Sequence, residues 1–252
     1  MTRMLLAAVA FCAATANPVF ALDLAKMNEA EKQAFGEAVR EYLMTNPEVL
    51  IEAINHLDQK NAANEAENDR ALVKEFHKEL FDDGFSWVGG NPDGDLTIVE
   101  FSDYRCPYCR QVAPEVMKTV EKDGNIRLIL KELPILGPES ELATRFALAA
   151  KELGGDDAYK RAHDALMEMT SNVTAETLGK LAERIDLDRD AVIARMDADS
   201  ITEIINKNRD LSQKLKISGT PTFVVGDQML RGVPRAGMAR IVEEIRRNST
   251  EG

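Results

Sequence analysis

Apolar residues in the early part of the chain recur at helical spacing. Asn28 followed by Glu31 reads as a capping box, and Phe35, Val39, Tyr42 and Leu43 then fall on one face of a helix. Thr45-Asn46-Pro47 ends that helix and opens another, with Asn46 as N-cap and Pro47 at the first helical position. Leu50, Ile54 and Leu57 form the next stripe. Residues 58–70 hold no apolar side chain larger than alanine, and Ala71, Leu72, Phe76 and Leu80 then resume the pattern. Two short patches around a polar middle cannot build a core alone. The pattern predicts a helical arm over residues 22–83 that packs either on the rest of the chain or on other copies of itself.

At Trp87 the pattern changes to strands and turns. Residues 89–94, Gly-Gly-Asn-Pro-Asp-Gly, are a turn cluster, and Leu96–Ser102 reads as a strand. A helix is expected over 110–121 and a strand over 126–131. Residues 139–215 read as almost entirely helical, with breaks at 154–155, 171–172 and 186–190. Strands return at Thr222–Val225 and 229–231, separated by a turn at 226–228, and an amphipathic helix follows over 235–247 with Met238, Ile241 and Ile245 on one face. The order is that of an α/β domain over 84–252, with a helical insertion at about 139–200.

Composition narrows the possibilities. The chain has 31 basic and 43 acidic residues, a net charge of −12, which speaks against nucleic acid or an anionic membrane as partner. Residues 1–21 read as a signal peptide: Arg3 is the positive end, 4–16 are apolar and small, and Val19-Phe20-Ala21 fits the cleavage pattern. An exported, periplasmic protein is therefore expected. Cys12 raises a lipoprotein alternative, but Phe11 stands where a small residue is normally needed. Loss of the signal peptide removes Cys12 and leaves Cys106 and Cys109. One close pair in an oxidising compartment points to chemistry rather than to a stapled fold.

That pair is Cys106-Pro107-Tyr108-Cys109, between a strand and a helix. Two sulfurs in a helical first turn can close a disulfide, and the helix N-terminus favours a thiolate on the first of them. The thiolate both attacks and leaves in disulfide exchange. Half of a zinc site is the competing reading, but His56, His77 and His163 are scattered along the chain. Cys106 is expected to be the exposed nucleophile and Cys109 the buried resolving thiol. Pro107 suits position N1. Asp103 and Arg105 read as solvated, His163 as structural, and Met167, Met169 and Met196 as packing. No metal site or organic cofactor is expected.

Residues 98–109 (Ile-Val-Glu-Phe-Ser-Asp-Tyr-Arg-Cys-Pro-Tyr-Cys), 131–137 (Lys-Glu-Leu-Pro-Ile-Leu-Gly) and 219–223 (Gly-Thr-Pro-Thr-Phe) together resemble the DsbA-like thioredoxin-fold oxidoreductases over about 84–248. The arm, with Val39-Arg-Glu-Tyr-Leu and Asn46-Pro-Glu-Val-Leu50, resembles the N-terminal segment of the copper-sensitivity-suppressor subgroup, whose members use it to oligomerise. The resemblance implies a thioredoxin fold and a protein disulfide oxidoreductase or isomerase. It implies thiol-bearing protein substrates, a membrane redox partner and a homo-oligomer. Thr220-Pro221 is implied to be a cis pair beside the sulfurs, with Pro107, Tyr108 and Thr220 meeting the substrate. Glu100 is implied to be a buried acid that shuttles the Cys109 proton, partnered by Lys131 on the next strand. The competing reading leaves Glu100 facing water. From a different class, the two thiolates could serve as ligands of a Cu(I)-handling protein.

Overall fold

In a computed structural model the described residues are 27–250; the expected signal peptide and Cys12 lie outside them. The chain divides into two compact units, Met1–Gln59 and Lys60–Gly252.

The first unit is helical. Helix α1 (Glu29–Thr45) begins with the expected capping box: the Asn28 side chain accepts from the Glu31 N–H, and the Glu31 carboxylate accepts from the Asn28 N–H. Asn46 differs from expectation. It closes α1, its side-chain amide donating to the Tyr42 carbonyl at 2.9 Å, so its side chain serves the end of one helix while only its carbonyl, accepting from the Val49 N–H at 3.2 Å, serves the start of the next. Helix α2 (Glu48–Glu75) follows, and its first part belongs to this unit. No residue of α1 is buried, and Phe35, Tyr42, Leu50, Ile51, Ile54 and Leu57 are all exposed.

The second unit is built on a five-stranded sheet. Its strands are β1 (Trp87–Gly90), β2 (Leu96–Ser102), β3 (Ile126–Glu132), β4 (Thr222–Val225) and β5 (Gln228–Arg231), in the order β1-β3-β2-β4-β5. β2 and β3 are parallel, joined through helix α4 (Pro107–Asp123), as a parallel pair requires. All other pairings are antiparallel. Gly124, at φ +72°, closes α4 in the left-handed conformation that glycine adopts without strain.

Both faces of the sheet are covered, so β2 and β3 are buried almost throughout and show no apolar–polar alternation, with Glu100, Lys131 and Glu132 buried among their apolar residues. Ile98, Leu128, Leu130, Phe223 and Val225 share one core with α4, helix α5 (Pro138–Glu168) and the C-terminal helix α9 (Met238–Thr250). Val99, Phe101, Ile129 and Val224 face the other way, against Val73 of α2, Leu80 of helix α3 (His77–Phe81), and Leu211 and Leu215 at the end of helix α8 (Asp199–Lys214). Residues 60–83 thus pack with the second unit, although their sequence continues the arm. Arg231 of β5 adds a bidentate pair with Asp69 (Nη2–Oδ1 2.9 Å) and a contact with Glu65 at 3.3 Å.

The insertion carries α5, α6 (Ala175–Arg184), α7 (Arg189–Arg195) and the start of α8. The break expected at 154–155 is a kink inside α5, at Gly155 with φ +73°. A further break at 196–198 was not legible. The last helix starts three residues later than its pattern suggests. The Gly237 N–H closes a turn onto the Pro234 carbonyl, and the Met238 N–H donates to Glu115 Oε1 at 2.7 Å.

Candidate active site

Cys106 is the N-cap of α4, Pro107 takes the first helical position, and Cys109 lies within the first turn. The loop before them is held by Asp103. Its carbonyl accepts from the Cys106 N–H at 3.0 Å, and its carboxylate accepts from the N–H groups of Arg105 (2.8 Å), Ile135 (2.8 Å) and Leu136 (3.1 Å). Asp103 is therefore fully buried rather than solvated, and it ties the cysteine loop to the loop after β3. Arg105 is also engaged, with Glu139 at 3.1 Å and the Ser171 carbonyl.

The sulfurs do not divide into one exposed and one hidden. Cys106 is 4% exposed and Cys109 0%, and both are free thiols. Cys106 is covered because its Sγ donates to the Thr220 carbonyl at 3.2 Å. The Thr220-Pro221 bond is cis, as the sequence led us to expect. What the motif shows to solvent is Tyr108, 63% exposed, beside an exposed Pro107. Ile135 and Leu136, on the loop that Asp103 anchors, are exposed as well.

Burial pushes the Cys109 thiol well above the usual range for cysteine, and the charge of Glu100 adds to the rise. The Asp103 backbone and the hydroxyls of Thr220 and Ser102 act in the opposite direction. Glu100 is buried on the Cys109 side of the sheet, not facing water. Burial lifts its carboxyl to about 7, against the pull of the Ser102 hydroxyl and with help from the charge of Glu132. Its Oε1 has no hydrogen-bond partner.

Lys131 does not partner Glu100. In the β2–β3 register Glu100 lies opposite Leu130, and Lys131 lies opposite Phe101. Successive side chains alternate between faces, so Lys131 points to the other side of the sheet. There it pairs with Asp83, meets Ser86 Oγ at 3.3 Å and sits over the Phe85 ring at 5.6 Å. Burial lowers the Lys131 ammonium pKa although Asp83 opposes this. Burial alone raises the Asp83 carboxyl, but Lys131 and Ser86 outweigh it and hold it below the usual carboxylate range.

The acid that shares a face with Glu100 is Glu132, opposite Ser102 in the register and hydrogen-bonded to Tyr104, Tyr159 and Thr144. Sequence reasoning missed this group. The two-residue spacing that matches Glu100–Ser102 with Leu130–Glu132 points to it only once the β2–β3 register is known. His163 joins the cluster through Tyr104. Met167 and Met196 are buried in the core and Met169 packs against it.

A thiol pair at the start of a helix, a cis-proline loop against the first sulfur and a buried acid near the second stand together on a thioredoxin fold. The chain belongs to the DSBA-like thioredoxin family, whose domain matches residues 97–240, more than half of its length. Residues 31–64 match the copper resistance protein ScsC N-terminal domain. The structure is similar to that of a thioredoxin-like oxidoreductase from Silicibacter pomeroyi (38% identity, TM-score 0.62, 69% of this chain and 97% of that one). It is also similar to ScsC of Proteus mirabilis in a transitional conformation (29% identity, TM-score 0.63, 87% and 97%). Disulfide bond formation protein D of Bacillus subtilis is 29% identical over 156 residues, 57% of this chain and 69% of that protein. A Na(+)/H(+) antiporter of Salinispora tropica matches at 31% identity over 147 residues, 58% of this chain, which spans only 22% of the antiporter. Among the described residues no helix is long and apolar enough to cross a membrane.

Proposed function

We propose that this protein exchanges disulfides with exported proteins in the periplasm through Cys106, and that it does so as a homo-oligomer. The observation that carries the reading is the Cys106 sulfur at the N-cap of α4, 3.2 Å from the Thr220 carbonyl, with Cys109 buried one turn further in. In the dithiol form the Cys106 thiolate attacks one sulfur of a substrate disulfide. That S–S bond breaks, and the released substrate thiolate takes up a proton. In the mixed disulfide, Glu100 as carboxylate accepts the Cys109 proton, and the Cys109 thiolate attacks Cys106. The second substrate thiolate leaves. The substrate is reduced by two electrons and the Cys106–Cys109 disulfide forms. Run backwards, the same steps oxidise a substrate dithiol. When another substrate thiol attacks the mixed disulfide instead, the substrate is isomerised.

Exposed Tyr108 and Pro107 flank the sulfur, and the Thr220 backbone offers an acceptor to an extended substrate segment. The exposed apolar stripes of α1 and early α2 support self-association, which favours isomerisation because several thiol sites then act on one client. A membrane redox partner would set the working redox state.

Two experiments test this. Cys109→Ser should accumulate mixed disulfides with exported proteins, and Cys106→Ser should accumulate none. Equal trapping by both variants would sink the assignment of Cys106 as attacking thiol. Alkylation trapping in cells then reads direction: a mostly reduced pair supports isomerase, a mostly oxidised pair oxidase.

A further inference from the structure

Glu132 is a second buried acid on the Cys109 side of the sheet, and the exchange steps above leave it unused. Its surroundings differ from those of Glu100. Tyr104 donates to Glu132 Oε1 at 2.8 Å, Tyr159 donates to the same oxygen, and Thr144 donates to Oε2 at 3.4 Å. Tyr104 comes from the loop that leads into Cys106, while Thr144 and Tyr159 come from α5. Behind them His163 Nδ1 lies 3.2 Å from the Tyr104 hydroxyl. Burial pushes the His163 imidazole down to about 4, so it is neutral at ordinary pH. Since the Tyr104 proton is already given to Glu132, the consistent tautomer has His163 Nδ1–H donating to the Tyr104 oxygen. Tyr159 stacks between Trp87 (5.7 Å between ring centroids) and His163 (6.0 Å), which fixes its hydroxyl direction.

Glu100 has nothing comparable. Its Oε1 is buried without a hydrogen-bond partner, and the neighbouring Ser102 Oγ is likewise buried without one. Burial lifts both carboxyls to about 7, and the charge of Glu132 raises Glu100 further. Hydrogen bonds to a carboxylate favour its charged form, so Glu132 is the first of the pair to ionise; Glu100 follows at higher pH, and its carboxylate is the form that accepts the Cys109 proton. The other groups facing the pair are Asp103, whose carboxylate raises Glu132 further, and the Cys109 thiol. Asp164 and Lys160 act on His163 with opposite sign. Lys131 is on the far face of the sheet with Asp83.

We propose that Glu132 is a positioning residue acting through Glu100: bonded by the hydroxyls of Tyr104, Tyr159 and Thr144, it is the member of the pair that takes up the negative charge first, and that charge beside Glu100 makes Glu100 a stronger base toward Cys109. This rests on the reading of Cys106 and Cys109 as an exchange pair with Glu100 as proton acceptor. The cluster also joins the cysteine loop to the helical insertion, so displacing α5 would change the basicity of Glu100 without touching either sulfur.

The test is a carboxyl-carbon NMR titration of Glu100 in the full-length, reduced protein, alongside the pH profile of mixed-disulfide resolution. Glu132→Gln should move the Glu100 midpoint down by roughly one pH unit and carry the resolution profile with it. Tyr159→Phe, which removes one donor and lets Glu132 keep its proton longer, should shift the Glu100 midpoint the same way by less. Should Glu132→Gln not fold, Tyr159→Phe and Tyr104→Phe decide the matter. Variants that lower Tm but leave the Glu100 midpoint in place, or raise it, overturn the proposal and make Glu132 purely structural. The underlying reading fails separately: a wild-type resolution profile unaffected by Glu100→Gln removes Glu100 as base, while the titration still reports on Glu132.

Discussion

The two faces of the β2–β3 pair carry buried ionisable groups one residue apart and handle them in opposite ways. On one face Lys131 is fully buried and meets Asp83, so two charges cancel. On the other, Glu100 and Glu132 are equally buried with no cation bonded to either among the described residues, and both carboxyls are lifted to about 7. Burial is common to both faces. The partner decides whether a buried charge becomes a permanent structural element or a proton-exchanging one. The cysteines lie on the face where the proton stays mobile.

The strongest way to break this contrast is to leave one charge of the ion pair alone. Lys131→Met strands Asp83, and unfolding in urea should show a loss of about 3–5 kcal/mol, with dithiol oxidation by the remaining folded protein little changed. A loss under about 1 kcal/mol would mean that water reaches Asp83 and that the two faces are not so different.

Glu100→Gln sharpens the contrast from the other side. The Glu100 carboxyl is raised from 4.5 to about 7 on folding. Between those values the native state keeps a proton that the unfolded chain has released. The stability present below 4.5 is thus lost as pH rises, fully so above 7. Relative to wild type, the variant should gain about 2–3 kcal/mol on going from low to mildly alkaline pH, while resolving mixed disulfides more slowly. Urea midpoints at the two pH values read the first effect. Parallel stability profiles would put Glu100 in contact with water.

A smaller effect concerns His163, lowered from 6.5 to about 4. Here the unfolded chain binds a proton that the native state refuses, so stability present above 6.5 is lost as pH falls toward 4. His163→Gln should remove about 1–2 kcal/mol of the loss seen near pH 5. An unchanged acid limb in thermal melts would argue that His163 is protonated in place. Least in stability but plain in mass, a chain beginning at Lys60 should be monomeric by light scattering where the longer chain is oligomeric. A monomeric full-length protein would end the idea of self-association through the arm.

The strand–motif–helix order and the thiol pair were legible because they are local: apolar runs, a C-x-x-C and a proline at N1. The parity of the strands was not. A strand buried on both faces shows no alternation, so nothing in residues 126–132 tells Lys131 from Glu132 by side. The register with β2 supplies that information, and it exposes both the misassigned Lys131 and the overlooked Glu132. Asp103 looks like a surface acid in sequence because the N–H groups it serves come from residues 135 and 136. The covering of Cys106 depends on a carbonyl 114 positions away. In the same way, Asp69 sits in a polar run that suggests a spacer, and it is buried only because Arg231, 162 residues on, reaches it.

That last contact has a consequence for what the molecule avoids. β5 is one of the two edge strands of the sheet, with β1 at the other end, and an edge strand offers unpaired backbone groups to any extended chain that meets it. Glu65 and Asp69 fasten the end of α2 to Arg231 on that strand. An edge strand left open would pair with any extended chain, a substrate segment of the proposed exchange included. The acidic turns of α2 act as a selvedge there, binding off the weave at Arg231.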